Sequence, residues 1–489
     1  MTVRAPAALR AERDSLGDYD VPASAYYGVH TARALDNFPI SGIAVSTYSD
    51  FVDALAAVKQ AAAQANNELG LLDDRRTDAI VAACAEIRSG LLHEQFVVDV
   101  VQGGAGTSTN MNANEVIANR ALELMGHGRG DYTELHPLEH VNRSQSTNDV
   151  YPTAIKVALQ VQIRKLHTTL LAVAEAFGHK AAEFASVLKM GRTQLQDAVP
   201  MTLGQEFSTY AVMVAEDADR LLEAALLVTE INLGGTAIGT GLNAHPRYAD
   251  LACRKLTAIS GFSLSTAGNL VEATQDVGAF VQLSGVLKRT ALKLSKICND
   301  LRLLSSGPRS GFNEINLPAM QAGSSIMPGK VNPVIPEVVN QVAFEVVGND
   351  VTISMAAEAG QLQLNAFEPI IAHCLFESLV HLDAACQTLI DRCIVGITAN
   401  RERLYESVTN SIGVITALSP YIGYAASARI AKTALRTDRP IPDLVVEEGL
   451  LTAEQVERLL APEALIGPRE LLSVNTAIDT ITEKKETLS

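Results

Sequence analysis

Long proline-free stretches constrain the fold of this 489-residue chain more than any other feature. Four of them separate consecutive prolines, at Pro152–Pro200, Pro200–Pro246, Pro246–Pro308 and Pro369–Pro420. In the first, apolar residues recur at steps of three and four along one helix face: Ile155, Leu159, Ile163, Leu166, Leu170, Val173 and Phe177. The last repeats this pattern at Leu375, Leu379, Leu382, Cys386, Leu389 and Cys393. Because helices average about 11 to 12 residues, stripes this long predict an all-α, mainly helical fold with a long central bundle.

The chain length predicts two or three domains, since one hydrophobic core stops growing at about 250 to 300 residues, and we place the divisions near residues 146 and 400. A shorter apolar stripe at Phe51, Leu55, Val58 and Ala62 indicates a helix in an N-terminal, mostly helical domain over 1–146. A short hairpin fits the first ~40 residues. The central long-helix bundle is expected over 147–399. A small C-terminal helical domain is expected over 400–489, where five prolines shorten the helices: Pro420, Pro440, Pro442, Pro462 and Pro468.

The charge balance excludes some partners. Lys and Arg total 39 against 55 Asp and Glu, a net charge of −16, which argues against binding nucleic acid or an anionic membrane surface. The longest uncharged stretch, 407–428, is interrupted by polar residues, so no membrane segment is predicted. The N-terminus lacks the apolar core of a signal peptide, and the cytoplasm is the expected location. Six cysteines without CxxC pairing suit reduced thiols in the core.

Five Gly-rich, polar segments interrupt the apolar stripes, at 103–110, 144–149, 191–198, 234–243 and 323–333. Such segments expose backbone N–H groups and hydroxyls, and a helix that begins after one adds partial positive charge that favours a bound carboxylate. Taken singly, each is equally typical of an ordinary turn or helix cap. The segments therefore indicate an anion-binding site only as a group.

The segment at 323–333 is not a nucleotide-binding loop. Five residues separate Gly323 and Gly329, where a P-loop has four, and Val331 stands where a P-loop has Ser or Thr after the lysine. The chain also contains no GxGxxG and no HExxH motif. What remains is two serines, a lysine and an asparagine on one flexible loop.

The sequence GSSIMPGKVNP at 323–333 resembles the signature loop of the aspartase/fumarase superfamily. Six further segments are similar to this family: 25–33, 103–108, 144–149, 190–207, 356–365 and 410–416. The resemblance covers nearly the whole chain. It implies a three-domain helical subunit whose long helices form the multi-helix core of a homotetramer. It also implies a carbon–nitrogen lyase that eliminates ammonia from L-aspartate to give fumarate.

The resemblance implies roles for individual residues. Ser324 would be the general base, stabilised as an alkoxide by N–H donors of the loop and by nearby positive charge. Removing a proton beside a carboxylate leaves an enediolate with two negative charges, which Lys330 and Asn332 would bind with help from Thr193. Asn148 would contact the amino group. The hydroxyls implied around the other carboxylate are those of Thr107, Ser146, Thr147 and Ser325. The alternative for these side chains is capping of turns and helices.

Gln194 separates two activities within the family. Fumarases typically carry His directly after Thr in this segment, and Gln cannot replace it as an acid or base. The residue thus argues against the nearest alternative, a class II fumarate hydratase. A non-catalytic helical member of the superfamily is the other alternative. His136 and His140 precede the 144–149 segment and are expected to be structural or surface groups.

The chemistry implied by the resemblance needs no organic cofactor, because the substrate carboxylate accepts the electrons. No metal site is predicted, since no ligand cluster has convincing spacing. The segments that carry the candidate residues lie near the ends of different predicted helices. We therefore expect active sites composed from three chains of the tetramer, with a small dicarboxylic acid as ligand.

Overall fold

The computed structural model describes residues 8–467, and its fold is mainly helical, as predicted. At the N-terminus, β1 (Leu9–Asp14) pairs antiparallel with β2 (Gly17–Pro22), which confirms the predicted short hairpin. Four helices follow, α1 (Val29–Asn37), α2 (Ser49–Glu68), α3 (Asp74–Arg88) and α4 (Thr107–Leu124). The predicted N-terminal stripe lies on α2, where all four of its side chains are buried.

The central part of the chain contains the longest helices, and α5 (Thr147–Glu183) has 37 residues. The others are α6 (Leu203–Leu227), α7 (Tyr248–Ser260), α8 (Glu272–Gln275), α9 (Gly278–Leu304), α10 (Val334–Glu358) and α11 (Glu368–Arg392). The two long predicted stripes lie on or directly after α5 and α11, and every residue in them is at most 1% exposed. These helices form because each buries one continuous apolar face.

Short strands connect the long helices. Between α5 and α6, β3 (Leu188–Thr193) and β4 (Gln196–Thr202) form an antiparallel hairpin that the sequence did not predict. Strand β5 (Glu230–Ile231) pairs parallel with β6 (Ser265–Thr266). Strand β7 (Ile315–Asn316) pairs antiparallel with β8 (Thr398–Ala399).

The C-terminal helices are short, as the prolines predicted. They are α12 (Arg401–Thr409), α13 (Ile415–Ile422), α14 (Tyr424–Thr437), α15 (Ile441–Glu447), α16 (Ala453–Leu459) and α17 (Pro462–Leu465). Buried side chains of α12 to α16, among them Val408, Leu418 and Leu459, form one cluster with Leu188 and Met190 of β3. Of the five prolines, Pro468 lies outside the described residues.

Backbone contacts divide the chain into two compact units. The first comprises Met1–Thr169, Asp217–Leu292 and Gln341–Ala384. The second comprises Leu170–Glu216, Lys293–Asn340 and Ala385–Ser489. The long helices contribute residues to both units. The predicted domain limits at residues 146 and 400 stay a prediction.

All six cysteines are free and buried, which confirms the prediction of core thiols. Within residues 8–467, one segment, Glu368–Gly396, is long and apolar enough to cross a membrane by length and composition alone. Its most apolar 18-residue window is 61% buried in the fold. That burial is typical of a core helix, and α11 buries its apolar stripe in this way.

Candidate active site

The loop at 323–333 connects β7 to α10 and is closed by two hydrogen bonds. The Gly323 N–H donates to the Lys330 carbonyl oxygen over 3.0 Å. The Asn332 side-chain amide donates to the Gly323 carbonyl oxygen over 2.8 Å. A Cβ atom at position 323 would lie 2.2 Å from the Lys330 carbonyl oxygen, so only glycine fits this closed loop.

Ser324 lies within this loop, and its hydroxyl oxygen accepts two backbone hydrogen bonds. The N–H of Ile326 donates over 3.2 Å and the N–H of Met327 over 2.9 Å. Donors that converge on one oxygen stabilise its anionic form. Ser325 and Lys330 on the same loop are exposed, and the Lys330 ammonium has no ion-pair partner within residues 8–467. The loop thus combines a stabilised oxygen with a cation open to an incoming anion.

Thr193 and Gln194 lie at the exposed tip of the β3–β4 hairpin. Thr193 pairs with Gln196, so Gln194 and Leu195 form a two-residue turn, and both have positive φ, at 54° and 62°. Positive φ at both positions is the mark of a type I′ turn, for which Asn and Gly are preferred. Gln and Leu hold this conformation at a cost of roughly 1 kcal/mol or more each. The predicted site therefore contains local backbone strain.

A buried carboxylate connects this hairpin to the segment that leads to the loop. Glu314 directly precedes β7, and its side chain is 2% exposed. It forms ion pairs with Lys189, at 2.8 Å, and with Arg192, both on β3. Lys189 also lies 2.6 Å from Glu206, whose pKa is raised because burial outweighs the attraction of the lysine. Glu314 thus links the β3–β4 hairpin to the segment that leads to the loop at 323–333, within the second unit.

In the first unit, Thr107 is the first residue of α4 and is exposed. Its hydroxyl donates to the Gly104 carbonyl oxygen over 2.7 Å. The preceding Gly106 has φ of 90°, and a Cβ there would lie 2.5 Å from the Tyr151 ring. Glycine at position 106 therefore allows α4 to begin against α5.

Ser146, Thr147 and Asn148 lie at the start of α5. The Thr147 hydroxyl oxygen accepts a hydrogen bond of 3.1 Å from the side-chain amide of Asn110. Asn110 lies on α4, about one turn after Thr107, so the structure brings the Thr107 and Thr147 segments together. The Asn148 side-chain amide donates to the Ala237 carbonyl oxygen over 2.7 Å.

Asp149 connects the 144–149 segment to the Gly-rich segment at 234–243 through hydrogen bonds. Its buried carboxylate accepts N–H groups from Ser146, Gly234 and Thr236 at 2.9 to 3.0 Å. Burial raises the pKa of this carboxyl to about 6, although the three backbone donors lower it. Two of the Gly-rich segments predicted from the sequence therefore meet at one buried group.

The ten candidate residues fall into two groups, one in each unit. The first unit holds Thr107, Ser146, Thr147 and Asn148. The second holds Thr193, Gln194, Ser324, Ser325, Lys330 and Asn332. Their roles in binding and catalysis stay predictions.

Sequence reasoning did not identify three residues that organise these groups: Lys59, Asn110 and Glu314. Lys59 carried a signal, because it follows Leu55 by four residues on the buried face of α2. A lysine at such a position indicates a paired internal charge, and burial lowers its pKa to about 7. Asn110 lies within a segment already singled out, but nothing marked its amide. Glu314 had no signal, because its partners are far away in the sequence.

The histidines before the 144–149 segment have structural roles, as predicted. Nδ1 of His136 accepts the N–H of Leu138 over 3.1 Å at the start of a helical turn. Nδ1 of His140 accepts the N–H of His136 over 2.8 Å. Burial lowers the pKa of both rings.

Among the described residues, Glu345, Glu377 and His381 form a group that could offer ligands to a metal ion. All three are partly exposed, and His381 Nδ1 lies 2.8 Å from a Glu345 oxygen. This contact explains the proximity of His381 and Glu345, which pair with each other.

Two family models match the chain. The model described as "Lyase" matches residues 17–348, and the model described as "Fumarase C C-terminus" matches residues 414–467. The aspartate ammonia-lyase of Pseudomonas aeruginosa is 61% identical over 464 residues, which are 95% of this chain and 98% of the relative. That of Escherichia coli is 53% identical over 461 residues, 94% of this chain and 96% of the relative.

Solved structures show the same fold. A fumarate lyase:delta crystallin from Brucella melitensis, solved bound to cobalt, superposes with a TM-score of 0.92 at 56% identity and covers 94% of this chain and 100% of its own. The class II fumarase of Schistosoma mansoni gives a TM-score of 0.90 at 36% identity and covers 95% and 100%. With these relatives and the signature loop at 323–333, the chain belongs to the aspartase/fumarase superfamily of lyases.

Proposed function

We propose that the chain is an aspartate ammonia-lyase, which reversibly eliminates ammonia from L-aspartate to give fumarate. Relatives that carry this name match almost the full length of the chain at more than half identity. The observation that supports the mechanism most directly is the Ser324 hydroxyl oxygen, on which two backbone N–H groups converge. The chemistry needs no organic cofactor, because the substrate carboxylate accepts the electrons.

Ser324 acts as the base that removes a proton from the carbon next to the distal carboxylate. A serine hydroxyl is ordinarily a very weak base, so its alkoxide must be stabilised before it can act. The N–H groups of Ile326 and Met327 supply two fixed donors, and the Lys330 ammonium adds positive charge on the same loop. These donors are already oriented, so no reorganisation is needed when the charge forms.

Loss of that proton places two negative charges on the substrate carboxylate as an enediolate. Lys330 and Asn332 bind this group, with Thr193 as a further donor. One N–H of the Asn332 amide closes the loop on Gly323, which leaves its other N–H for the substrate. Positive charge and hydrogen bonds that strengthen as the enediolate forms lower the barrier to proton removal.

The remaining residues hold the other end of the substrate. Hydroxyls of Ser146, Thr147 and Ser325 surround the second carboxylate, and Asn148 contacts the amino group. The Thr107 hydroxyl joins them when it turns from the Gly104 carbonyl oxygen to the substrate. The amine leaves as neutral ammonia when the carbon–nitrogen bond breaks, so the leaving group needs no acid. Gln194, which cannot donate a titrating proton, is compatible with this step and not with water as leaving group.

The complete active site forms in a homotetramer, with residues from three chains. An exposed apolar stripe on α10 supports association: Phe344, Val351 and Met355 are 66%, 55% and 69% exposed. Side chains of this size in one stripe are typical of an interface. A mixture of Ser324→Ala and Thr147→Val tetramers, dissociated, reassembled and assayed at L-aspartate concentrations far below the raised KM of Thr147→Val, should regain normal activity in about a quarter of its sites, because those sites contain neither change. No recovery would contradict shared sites.

We also propose a cytoplasmic location. All six cysteines are free and buried in the fold. Unpaired cysteines in this number are typical of proteins kept in a reducing compartment.

The substrate is tested by following fumarate absorbance with L-aspartate or L-malate as the starting compound. Formation of fumarate from L-aspartate, with stoichiometric ammonia, is the expected result. Formation only from L-malate would show a fumarate hydratase instead. Absence of turnover with both compounds would favour a non-catalytic member of the superfamily.

A further inference from the structure

Lys59 lies at the centre of a buried hydrogen-bond network in the first unit. The side chain is 0% exposed. Its ammonium donates to three amide oxygens: Asn110 Oδ1 at 2.7 Å, Asn142 Oδ1 at 2.9 Å and Gln145 Oε1 at 2.9 Å. A lysine ammonium has three N–H donors, so every one of them is used.

The lysine determines which way each amide points. Burial lowers the pKa of Lys59 to about 7, and in the ammonium form that prevails below this pH the side chain can only donate. Each of these amides must then present its oxygen to Lys59 and direct its NH2 group elsewhere. For Asn110 the NH2 group donates to the Thr147 hydroxyl oxygen over 3.1 Å and to the Asn142 oxygen over 3.2 Å. Without the lysine, the Asn110 amide could rotate by half a turn and accept a hydrogen bond from Thr147 instead.

The orientation of Asn110 in turn decides the orientation of the Thr147 hydroxyl. Because the oxygen of Thr147 accepts a hydrogen bond from Asn110, the hydroxyl proton remains available for donation. A carboxylate can only accept hydrogen bonds, so it requires this proton. If Thr147 donated to Asn110, it would present lone pairs to the carboxylate.

We propose that Lys59 is a positioning residue that, through Asn110, keeps the Thr147 hydroxyl as a hydrogen-bond donor to the substrate carboxylate. This inference rests on the proposed function, in which Thr147 contacts that carboxylate. Lys59 also holds Gln145, the residue before Ser146, so it sets the backbone path into the same group of hydroxyls. Lys59 itself is buried and touches no substrate.

The proposal predicts an effect on substrate affinity that a purely structural lysine would not have. In Lys59→Met the KM for L-aspartate should rise roughly 10- to 100-fold, as expected for loss of a hydrogen bond to a charged group, while kcat changes much less. The matched control is Lys180→Met. Lys180 is also buried and donates to the Ile397 carbonyl oxygen, in the other unit, and its loss should leave KM unchanged.

Asn110→Asp tests the orientation without removing the buried charge. The new carboxylate can still pair with Lys59, but it cannot donate to Thr147 or to the Asn142 oxygen. KM should rise as in Lys59→Met, with an unfolding temperature close to that of the unchanged protein. A normal KM in this variant would overturn the proposal, even if Lys59→Met fails to fold.

A double-mutant cycle separates this inference from the assignment of Thr147. Thr147→Val alone should raise KM, and Lys59→Met should add little to it, because both changes remove the same hydrogen bond. If Thr147→Val leaves KM normal, the proposed role of Thr147 is wrong and the inference falls with it. If Thr147→Val raises KM and Lys59→Met either has no effect or adds its full effect, the inference alone is wrong.

Discussion

The close approach at Gly323 makes a quantitative prediction about the loop at 323–333. In Gly323→Ala the new Cβ would lie 2.2 Å from the Lys330 carbonyl oxygen and 2.7 Å from the Val331 Cα. Both are backbone atoms, which cannot move aside as a flexible side-chain end could. The loop must open, and the two hydrogen bonds that close it are lost.

The expected loss of activity follows from those two bonds. Each contributes about 1 kcal/mol net, so the closed loop is destabilised by about 2 kcal/mol, which corresponds to a roughly 30-fold smaller population. Since Ser324 is held in place only in the closed loop, kcat/KM for L-aspartate should fall by about 30-fold or more. The unfolding temperature should change little, because most of this loop is exposed.

Gly329→Ala is the matched control on the same loop. A Cβ at position 329 would meet nothing within 4 Å, although the φ of 82° makes any side chain there strained. That strain costs about 1 to 2 kcal/mol, so the loss should not exceed that in Gly323→Ala. Steady-state assays of both variants, with circular dichroism melts, make the comparison. A larger loss in Gly329→Ala than in Gly323→Ala, or normal activity in Gly323→Ala, would refute the argument from loop closure.

Two further predictions concern stability. Burial raises the pKa of the Glu368 carboxyl to about 8, although Lys156 lowers it, whereas an unfolded glutamate loses its proton near pH ~4.3. This carboxyl therefore stabilises the fold at low pH, and its contribution is lost as pH rises through about 8. In chemical denaturation, the free energy of unfolding of Glu368→Gln should gain up to a few kcal/mol over that of the unchanged protein between pH 5 and 8. A difference between the two proteins that stays constant with pH would contradict this. Leu195 has a φ of 62° in the β3–β4 turn, and Leu195→Gly should remove the backbone strain of this conformation, about 1 kcal/mol, and raise the unfolding temperature. The control, Val199→Gly on β4, should lower the unfolding temperature. A lower melting temperature in Leu195→Gly would show that the turn is not strained.

Much of the helical fold was predictable because burial leaves a periodic pattern in the sequence. The stripes on α5 and α11 recur at helical spacing, and each is at most 1% exposed. The hairpin of β3 and β4 was missed for a physical reason. Its turn residues, Gln194 and Leu195, are not those that favour positive φ, so the turn is imposed by its surroundings.

The candidate site was predictable only in part. The loop at 323–333 and the segment at 144–149 stood out through their composition and their resemblance to a family. The groups that orient them did not, because the pairing of Glu314 with Lys189 joins residues more than a hundred positions apart in the sequence. Likewise, the orientation of the Asn110 amide depends on a lysine from a different helix. The buried lysine carries a signal through its place in an apolar stripe, but the partners in both contacts are decided by tertiary packing and leave no local signal.

The central claim is that Ser324 removes the substrate proton. Turnover of L-aspartate by Ser324→Ala, measured beside Ser208→Ala, tests it most directly, since Ser208 is an exposed serine whose hydroxyl donates only to the Gln205 carbonyl oxygen of its own helix. We expect kcat of Ser324→Ala to fall by at least about 100-fold, with KM and melting temperature nearly unchanged, and Ser208→Ala to retain full activity. A Ser324→Ala protein that is folded and turns over L-aspartate at the normal rate would contradict the mechanism.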